Sequence, residues 1–353
     1  MSERFDRPAP RVLVIGAQGS LGSLLCGAFA WAGWSVLRGG RRPDASADFR
    51  HVDLGEPETV ATAAGEVDLI VNSVPDLALT AERMVLDRGG LLINVSALSA
   101  RVGRELRERS TTARGTVVMN AGIAPGVTNL VAADLLVSHP QADEVEMVFT
   151  VSSKATSGRA GADFAHRGMT ALPRHHTAVI PLPAPFGPRR CLGFAEPDGG
   201  WLGAIAAGIT VSPYICLNER PAQRALLAAN RAGVMNRLPR TLLRSTPTGS
   251  DTVSAEQVSH WVAVLEHGER IAARTVRCEG DYVGAAASTV TFADVLVSAT
   301  DLPSGILDCE SVLWLDQVAG PLREAGIVVH DEPIGRPATG PSAPLVSAGA
   351  QDR

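Results

Sequence analysis

Residues 11–42 read RVLVIGAQGSLGSLLCGAFAWAGWSVLRGGRR, and this stretch decides the fold. Its hydrophobic pattern predicts a buried parallel strand, an apolar helix and a second strand, at residues 12–15, 24–31 and 35–37. The predicted corner between the first strand and the helix carries Gly16, Gly19 and Gly22. Glycines at such a corner let the backbone approach a pyrophosphate, whose charge lies at the helix N-terminus. Three glycines in this strand–helix–strand context indicate a dinucleotide-binding fold.

The end of the second predicted strand selects between the two nicotinamide dinucleotides. An NAD site usually carries Asp or Glu there to bind the ribose 2′-hydroxyl, whereas an NADP site offers arginine to the 2′-phosphate. Residues 36–42 contain no acid, and Arg41 and Arg42 follow directly on two glycines. We therefore expect NADP(H) as the cofactor. The corner residues that we expect to contact it are Gly16, Gln18, Gly19, Ser20, Leu21 and Gly22.

The composition agrees with a soluble enzyme, and the cysteine spacing with a cytoplasmic one. The net charge of −5 and the pI near 5.9 argue against a nucleic-acid or membrane partner. No apolar run reaches the roughly 18–20 residues that a membrane span requires. The five cysteines form no CxxC pair, which favours a reducing compartment. No HxxxH or HExxH pattern is present, so we expect no metal site.

Four further strands are predicted at residues 51–54, 67–71, 91–95 and 116–119, each followed by a short polar segment. Open α/β sheets bind ligands beyond the carboxyl ends of their strands, so these segments should line the cofactor. Asp53 would face the adenine, and the segments that follow the next three strands would line the nicotinamide half. The residues expected to do so are Asn72, Ser73, Val74, Ser96 and Gly122. We therefore expect a Rossmann doubly wound parallel sheet.

After the sixth predicted strand the chain reads AGIAPGVTNLVAADLL, at residues 121–136. The order of glycine corner, GGRR, VDL, VNSVP and AGIAPGVTNL resembles the saccharopine dehydrogenase-like superfamily, as does the GDYVGAAASTVTFADVLVS segment at residues 280–298. The resemblance implies NADP-linked redox chemistry and a helix that crosses to a second domain. Many relatives carry an acid where this chain has Ala124, which argues against lysine-pathway chemistry. Near the cleft, Pro125, Gly126 and Asn129 are the expected substrate contacts.

The central segment predicts a second, α+β substrate domain with a mixed, largely antiparallel sheet, through which such folds often dimerise. Strands are predicted at residues 145–152, 177–182 and 209–217, with a hairpin of 261–265 and 271–278 around EHGER. Helices are predicted at residues 160–170 and 221–232, and residues 183–200 are predicted to be a long loop, a candidate lid. The expected divisions are a Rossmann domain (8–130), a substrate and dimerisation domain (131–279), returning C-terminal helices (280–330) and a disordered tail (331–353).

The candidate catalytic residues are Lys154 and His166. The chain has 31 arginines and a single lysine, so Lys154 could occupy a place where arginine cannot act as a proton donor. Chance survival at a tolerant surface position is the competing interpretation. Histidine is a common proton donor at neutral pH, although most histidines are solvated or core residues. Ser157, Arg159 and Arg189 complete the expected substrate contacts, the arginines as carboxylate clamps beside Arg190.

Three hypotheses remain open. The first is an NADP(H)-dependent reductase or dehydrogenase acting on a C=N or C=O group of a small, amino-acid-derived substrate. The second is a reductase of a larger or carrier-bound apolar substrate at an enoyl bond, which Ala124 and the proline-rich segment favour. The third is a non-catalytic NADP(H) sensor. The Tyr-x-x-x-Lys pattern of short-chain dehydrogenases is absent, because Tyr214 and Tyr282 are followed four residues later by Asn218 and Ala286.

Overall fold

Two seven-stranded sheets form the framework of the protein. The computed structural model describes residues 8–96, 112–152, 159–172, 176–194, 208–235 and 258–334. One sheet is entirely parallel and the other is mixed, which confirms the predicted combination of a Rossmann-type sheet with a second α+β unit. The division of the chain into domains at the expected boundaries stays a prediction.

The first sheet has the strand order β13-β6-β5-β4-β1-β2-β3. Apolar side chains fill both of its faces, because helices cover it on each side and leave no face for water. Its strands are β1 (Arg11–Ile15), β2 (Ser35–Gly40), β3 (Phe49–His51), β4 (Leu69–Asn72), β5 (Leu91–Asn94), β6 (Thr116–Met119) and β13 (Gly305–Asp308).

The second sheet has the strand order β14-β12-β11-β7-β10-β9-β8, in which only β7 and β10 pair in parallel. Its central hairpin turns at His267 and Gly268, both with positive φ, which suits a two-residue turn between antiparallel strands. The strands are β7 (Glu144–Val151), β8 (Thr177–Pro181), β9 (Pro188–Gly193), β10 (Thr210–Leu217), β11 (Val258–Glu266), β12 (Glu269–Cys278) and β14 (Val328–Asp331).

Helices join the two sheets through one continuous apolar core. The crossing helix after residue 126 packs on β11 and β12, and the long helix that follows β12 packs against the helix of the glycine corner. The helices are α1 (Ser20–Trp31), α2 (Pro57–Ala64), α3 (Thr80–Arg88), α4 (Val127–Ser138), α5 (Arg159–Thr170), α6 (Arg220–Ala232), α7 (Asp281–Ser298) and α8 (Leu315–Glu324). None of the helices in these described ranges has the length and apolarity to cross a bilayer.

Three local predictions are wrong. The third strand is Phe49–His51 and not residues 51–54, because the chain leaves the ladder after the Val52 amide donates to the Gly40 carbonyl at 3.0 Å. The expected lid at residues 183–200 contains β9, which pairs antiparallel with β8 and β10. The expected tail begins too early, because Asp331 ends β14 and its carboxylate accepts from Arg274 at 2.7 Å.

Candidate functional site

The glycine corner is packed so tightly that it has no room for side chains at Gly16 and Gly22. Gly16 has φ +85°, and a Cβ there would lie 2.5 Å from Val74 Cγ2, so only glycine fits. A Cβ at Gly22 would lie 2.0 Å from the Gly16 carbonyl oxygen. The amides of Gly16 and Ala17 both donate to the Gly39 carbonyl, at 3.0 and 3.1 Å. The corner is therefore fixed directly against the end of β2, where the cofactor's ribose is expected.

The N-terminus of α1 is open to an anion. The residue that precedes the helix is Gly19, which has no side chain to cap it, and the first turn carries no acid. The first amide to bond back across this turn is that of Ser23, which donates to the Gly19 carbonyl at 2.9 Å. The preceding amides of Ser20, Leu21 and Gly22 therefore point along the helix axis without an intrahelical acceptor. Such an end attracts negative charge, and the residues fit a pyrophosphate.

The two arginines after β2 are exposed and lie next to this corner. The Gln18 side chain donates from Nε2 to the Arg42 carbonyl at 3.0 Å, so the arginine segment is tied to the glycine corner. Within the described ranges, neither Arg41 nor Arg42 has an ion pair. The nearest acid that follows is Asp44, whose Oδ2 lies 3.8 Å from Arg38 Nε and whose Oδ1 accepts from the Ser46 amide. Two unpaired guanidinium groups are therefore available to a phosphate beside β2.

A buried carboxyl group holds the loops after β4 and β5. Glu82 of α3 is fully buried, and its Oε1 accepts from Nδ2 of Asn72 at 2.8 Å and from Nδ2 of Asn94 at 2.7 Å. The Asn72 Oδ1 atom accepts from the Val74 amide, and the Asn94 Oδ1 atom accepts from the amide and hydroxyl of Ser96. Burial raises the pKa of Glu82. The network therefore sets the shape of two loops at the carboxyl edge.

This network changes the part that Asn72 can play. We predicted Asn72 as a cofactor contact, but its side chain is fully buried and both of its polar atoms are bonded inside the protein. Ser73 also turns inward, and its hydroxyl donates to the Ile15 carbonyl at 2.8 Å. Sequence reasoning missed Glu82, since an acid within a helix carries no special pattern, and it missed Asn94, since the strand predicted at residues 91–95 placed this residue inside the strand. These side chains position the loop backbone.

The Asp53 carboxylate lies in the loop that follows β3. Its Oδ1 atom accepts from the Gly55 amide at 2.9 Å, and its own amide bonds the Thr59 hydroxyl at 2.9 Å. The side chain is partly exposed, and its second oxygen has no hydrogen bond within the described ranges. An adenine contact by Asp53 stays a prediction.

The turn between β6 and α4 is built around a glycine that nothing else could replace. Gly126 has φ +139°, and a Cβ there would lie 1.8 Å from the Gly122 carbonyl oxygen. The Gly122 amide donates to the Pro125 carbonyl at 3.1 Å, which closes the turn. Asn129 is fully buried: its Oδ1 accepts from the Gly126 amide and its Nδ2 donates to Glu310. Asn129 thus stabilises the turn from inside, where a substrate would not reach it.

Only some of the expected catalytic and substrate residues of the second unit lie in the described ranges. Lys154 and Ser157 lie outside the described residues, as does the side chain of Arg159, whose backbone begins α5. His166 lies on the same helix, is partly buried, and its Nε2 atom has no hydrogen bond to another described group. That nitrogen is itself buried, and a proton-donor role for His166 stays a prediction.

Arg189 is a structural residue in this fold. Its Nη1 atom donates to the carbonyls of Leu217 and Asn218 at 2.9 and 2.8 Å, and its guanidinium lies 5.0 Å from the centre of the Phe186 ring. These contacts join β9 to the loop after β10. A carboxylate clamp at Arg189 stays a prediction, and Arg190 points to the opposite face of the strand.

Comparisons with known proteins show what this architecture is similar to. No protein-family model matches the chain, and no curated protein matches its sequence. Among solved structures, the apo saccharopine dehydrogenase (L-Glu forming) from Saccharomyces cerevisiae aligns with a TM-score of 0.59 at 11% identity, covering 92% of this chain and 99% of that one.

Two further structures align less closely. Dipicolinate-bound dihydrodipicolinate reductase from Paenisporosarcina sp. TG-14 gives a TM-score of 0.42 at 10% identity, covering 87% of this chain and all of that one (100%). A mutant meso-DAPDH with DAP from Clostridium tetani E88 gives 0.47 at 12%, covering 89% and 98%. With identities this low the likeness is one of fold, and the protein has the saccharopine dehydrogenase-like fold that its sequence motifs resemble.

Proposed function

We propose that this protein is an NADP(H)-dependent oxidoreductase that transfers hydride to or from a C=N or C=O group of a small, amino-acid-derived substrate. The observation that carries the proposal is the pair Arg41 and Arg42, exposed and tied through Gln18 to the uncapped N-terminus of α1. A pyrophosphate suits the helix end, and a 2′-phosphate suits the guanidinium groups. The likeness of fold to saccharopine dehydrogenase agrees with this proposal.

Different residues of the chain would bind the cofactor and move the proton. The three amides of the first turn of α1 would bind the pyrophosphate, and the arginines would bind the 2′-phosphate. The loops at Val74 and Ser96, held through Glu82, would orient the nicotinamide end. The dinucleotide supplies the hydride chemistry when bound. Lys154 and His166 are the candidate groups for moving a proton at the substrate.

The setting of the enzyme is also a proposal. We infer a homodimer formed through the second sheet, in the cytoplasm. All five cysteines are free and buried, as is usual for a protein of a reducing compartment. Sedimentation at several concentrations checks the dimer; a monomer at micromolar concentration would contradict it.

The cofactor choice is tested with the variant Arg41→Gln/Arg42→Gln. Hydrogen bonds to charged groups contribute roughly 1.5–3 kcal/mol each, so the loss of both should weaken NADPH binding by about 100-fold or more. NADH binding should change little, because NADH lacks the 2′-phosphate. The matched control is Arg88→Gln, which removes an exposed arginine that pairs with Glu58. Equal weakening of both dinucleotides would contradict the proposal.

The substrate class is tested by turnover. Purified enzyme with NADPH is assayed on imines of amino acids with 2-oxo acids, on ketones and on enoyl thioesters. The proposal expects oxidation of NADPH with an imine or a ketone. Turnover with enoyl thioesters alone would favour the carrier-bound alternative, and tight NADPH binding without any turnover would favour the sensor.

A further inference from the structure

A second positively charged site lies away from the glycine corner, between α6 and the strands β8 and β9. A cavity of about 230 Å³ is lined by Thr177, Arg190, Leu227, Asn230 and Arg231. The strands β8 and β9 form one edge of the second sheet, whereas α4 and α7 contact the sheet at β11 and β12. The cavity therefore lies at the β8–β9 edge of that sheet, away from the strands that α4 and α7 contact.

The polar groups of the cavity come from three elements and converge. Arg190 of β9 donates from Nη1 to the Thr177 hydroxyl of β8 at 3.2 Å, and Asn230 of α6, which also lines the cavity, is buried at 6% exposure. Gln223 fixes the geometry, because its Nε2 donates to the Arg190 carbonyl at 2.8 Å and its Oε1 accepts from the Leu217 amide at 2.7 Å. Gln223 of α6 therefore ties the backbone at Arg190 to that helix.

The charge of this cavity has no internal balance. None of its lining residues is an acid, and within the described ranges neither Arg190 nor Arg231 forms an ion pair with a carboxylate. The protein as a whole is acidic, with 37 Asp and Glu against 32 Lys and Arg. A general excess of basic residues therefore does not explain why two arginines line this cavity without an acid. Two guanidinium groups at one cavity repel each other unless an anion lies between them.

The ordinary role of a basic residue in a last helical turn does not account for Arg231. Such residues often bond the final carbonyls of a helix. Here the backbone does this: Gly233, with φ +70°, donates to the carbonyl of Asn230, and the Val234 amide donates to that of Ala229 at 3.1 Å. The Arg231 guanidinium is therefore left available for a ligand.

We propose that this cavity, defined by Arg190, Arg231, Asn230 and Thr177, binds a small oxyanion that carries carboxylate or phosphate groups. Guanidinium forks pair with both groups, and an amide and a hydroxyl supply the remaining hydrogen bonds. The volume is below the roughly 300–1,000 Å³ of pockets that enclose drug-sized ligands, so a small ion or the anionic end of a molecule fits it. The site is independent of the proposed dinucleotide site and does not require it.

The experiment is a calorimetric titration with inorganic phosphate and, separately, with citrate, at constant ionic strength set by NaCl. Because the glycine corner could also bind phosphate, every titration is repeated in the Arg41→Gln/Arg42→Gln background. We expect saturable binding that persists in this background. It should weaken at least tenfold in Arg190→Gln and in Arg231→Gln. Binding of phosphate would identify a phosphate site, and binding of citrate alone a carboxylate site.

The matched control is Arg323→Gln, which removes an exposed arginine from the last turn of another helix, α8. It should bind both anions like the wild type. Thermal melts without ligand check that Arg190→Gln and Arg231→Gln fold; if one does not, the other carries the test. Absence of saturable binding in the wild type, or equal affinity in the Arg190→Gln, Arg231→Gln and Arg323→Gln variants, would overturn the proposal. Neither result bears on NADPH binding at the glycine corner.

Discussion

Glu82 allows the most quantitative test of how the carboxyl edge of the first sheet is held. Its Oε1 atom is the shared acceptor of Asn72 and Asn94, at 2.8 and 2.7 Å, and all three side chains are buried. Replacement by leucine keeps a similar volume and removes the acceptor. Two buried amide donors then lose a partner, at a cost of about 1–3 kcal/mol each. We expect Glu82→Leu to reduce the free energy of unfolding by roughly 2–6 kcal/mol.

The matched control is Glu82→Gln, which keeps an oxygen in the position of Oε1 and should lose much less stability. Urea unfolding at pH 7 measures both variants, with the slope of each transition compared to confirm a common unfolded state. Glu82→Leu should also weaken NADPH binding, because the loops at Val74 and Ser96 lose their anchors. Equal stability of the leucine and glutamine variants would refute the idea that the carboxyl oxygen organises this edge.

The raised pKa of Glu82 gives this residue a characteristic pH dependence. Burial disfavours its charged form, so the folded-state pKa lies above the ordinary value of 4.5. The folded protein then binds one more proton than the unfolded chain between 4.5 and the raised pKa. Stability should therefore fall with rising pH in this window, by up to about 1.4 kcal/mol per pH unit. Glu82→Gln should lack this decline. If the unfolding free energies of the wild type and of Glu82→Gln change with pH in the same way between pH 5 and 8, the raised pKa of Glu82 is contradicted.

Three further substitutions, two of them with a matched control variant, have definite expected outcomes. Gly22→Ala should prevent dinucleotide binding and destabilise the fold, because its Cβ would lie 2.0 Å from the Gly16 carbonyl oxygen. The control is Gly27→Ala in the same helix, whose Cβ meets nothing within 4 Å. Thermal melts should show that this control is stabilised by about 0.5–1 kcal/mol. Lys154→Arg should reduce turnover at least about tenfold at unchanged NADPH affinity if the ammonium donates the proton, and unchanged turnover would remove it from the mechanism. Arg189→Gln should lower the unfolding free energy by roughly 1–3 kcal/mol, since two carbonyls lose their donor, while Arg190→Gln should be nearly neutral; equal losses would contradict the assigned contacts.

Most of the fold could be predicted because its signals are local. The glycine corner and the hairpin around His267 and Gly268 combine a strong periodic pattern with turn residues of defined backbone geometry. β9 was missed because Pro188 and two arginines within a proline-rich segment resemble a loop. A proline is tolerated at the first residue of a strand, and the pairing of β9 with its neighbours is visible only in three dimensions.

The candidate site could be predicted in outline, and its side-chain directions could not. The sequence places Asn72 at a strand end but cannot show whether its amide points to the cleft or toward a helix. Adjacent residues of a strand point to opposite faces, so the different roles of Arg189 and Arg190 follow from β9, which the sequence did not reveal. Glu82 could not be found without knowing that its side chain turns from α3 to the ends of β4 and β5, the strands before and after that helix.

The central claim is that the guanidinium groups of Arg41 and Arg42 recognise a 2′-phosphate beside the glycine corner. Isothermal titration of the wild-type protein with NADPH and with NADH, in the same buffer at about 0.1 M salt, tests it most directly. We expect NADPH to bind at least about 100-fold more tightly, a difference of roughly 2.7 kcal/mol. Tighter binding of NADH, or binding of neither dinucleotide, would contradict the account.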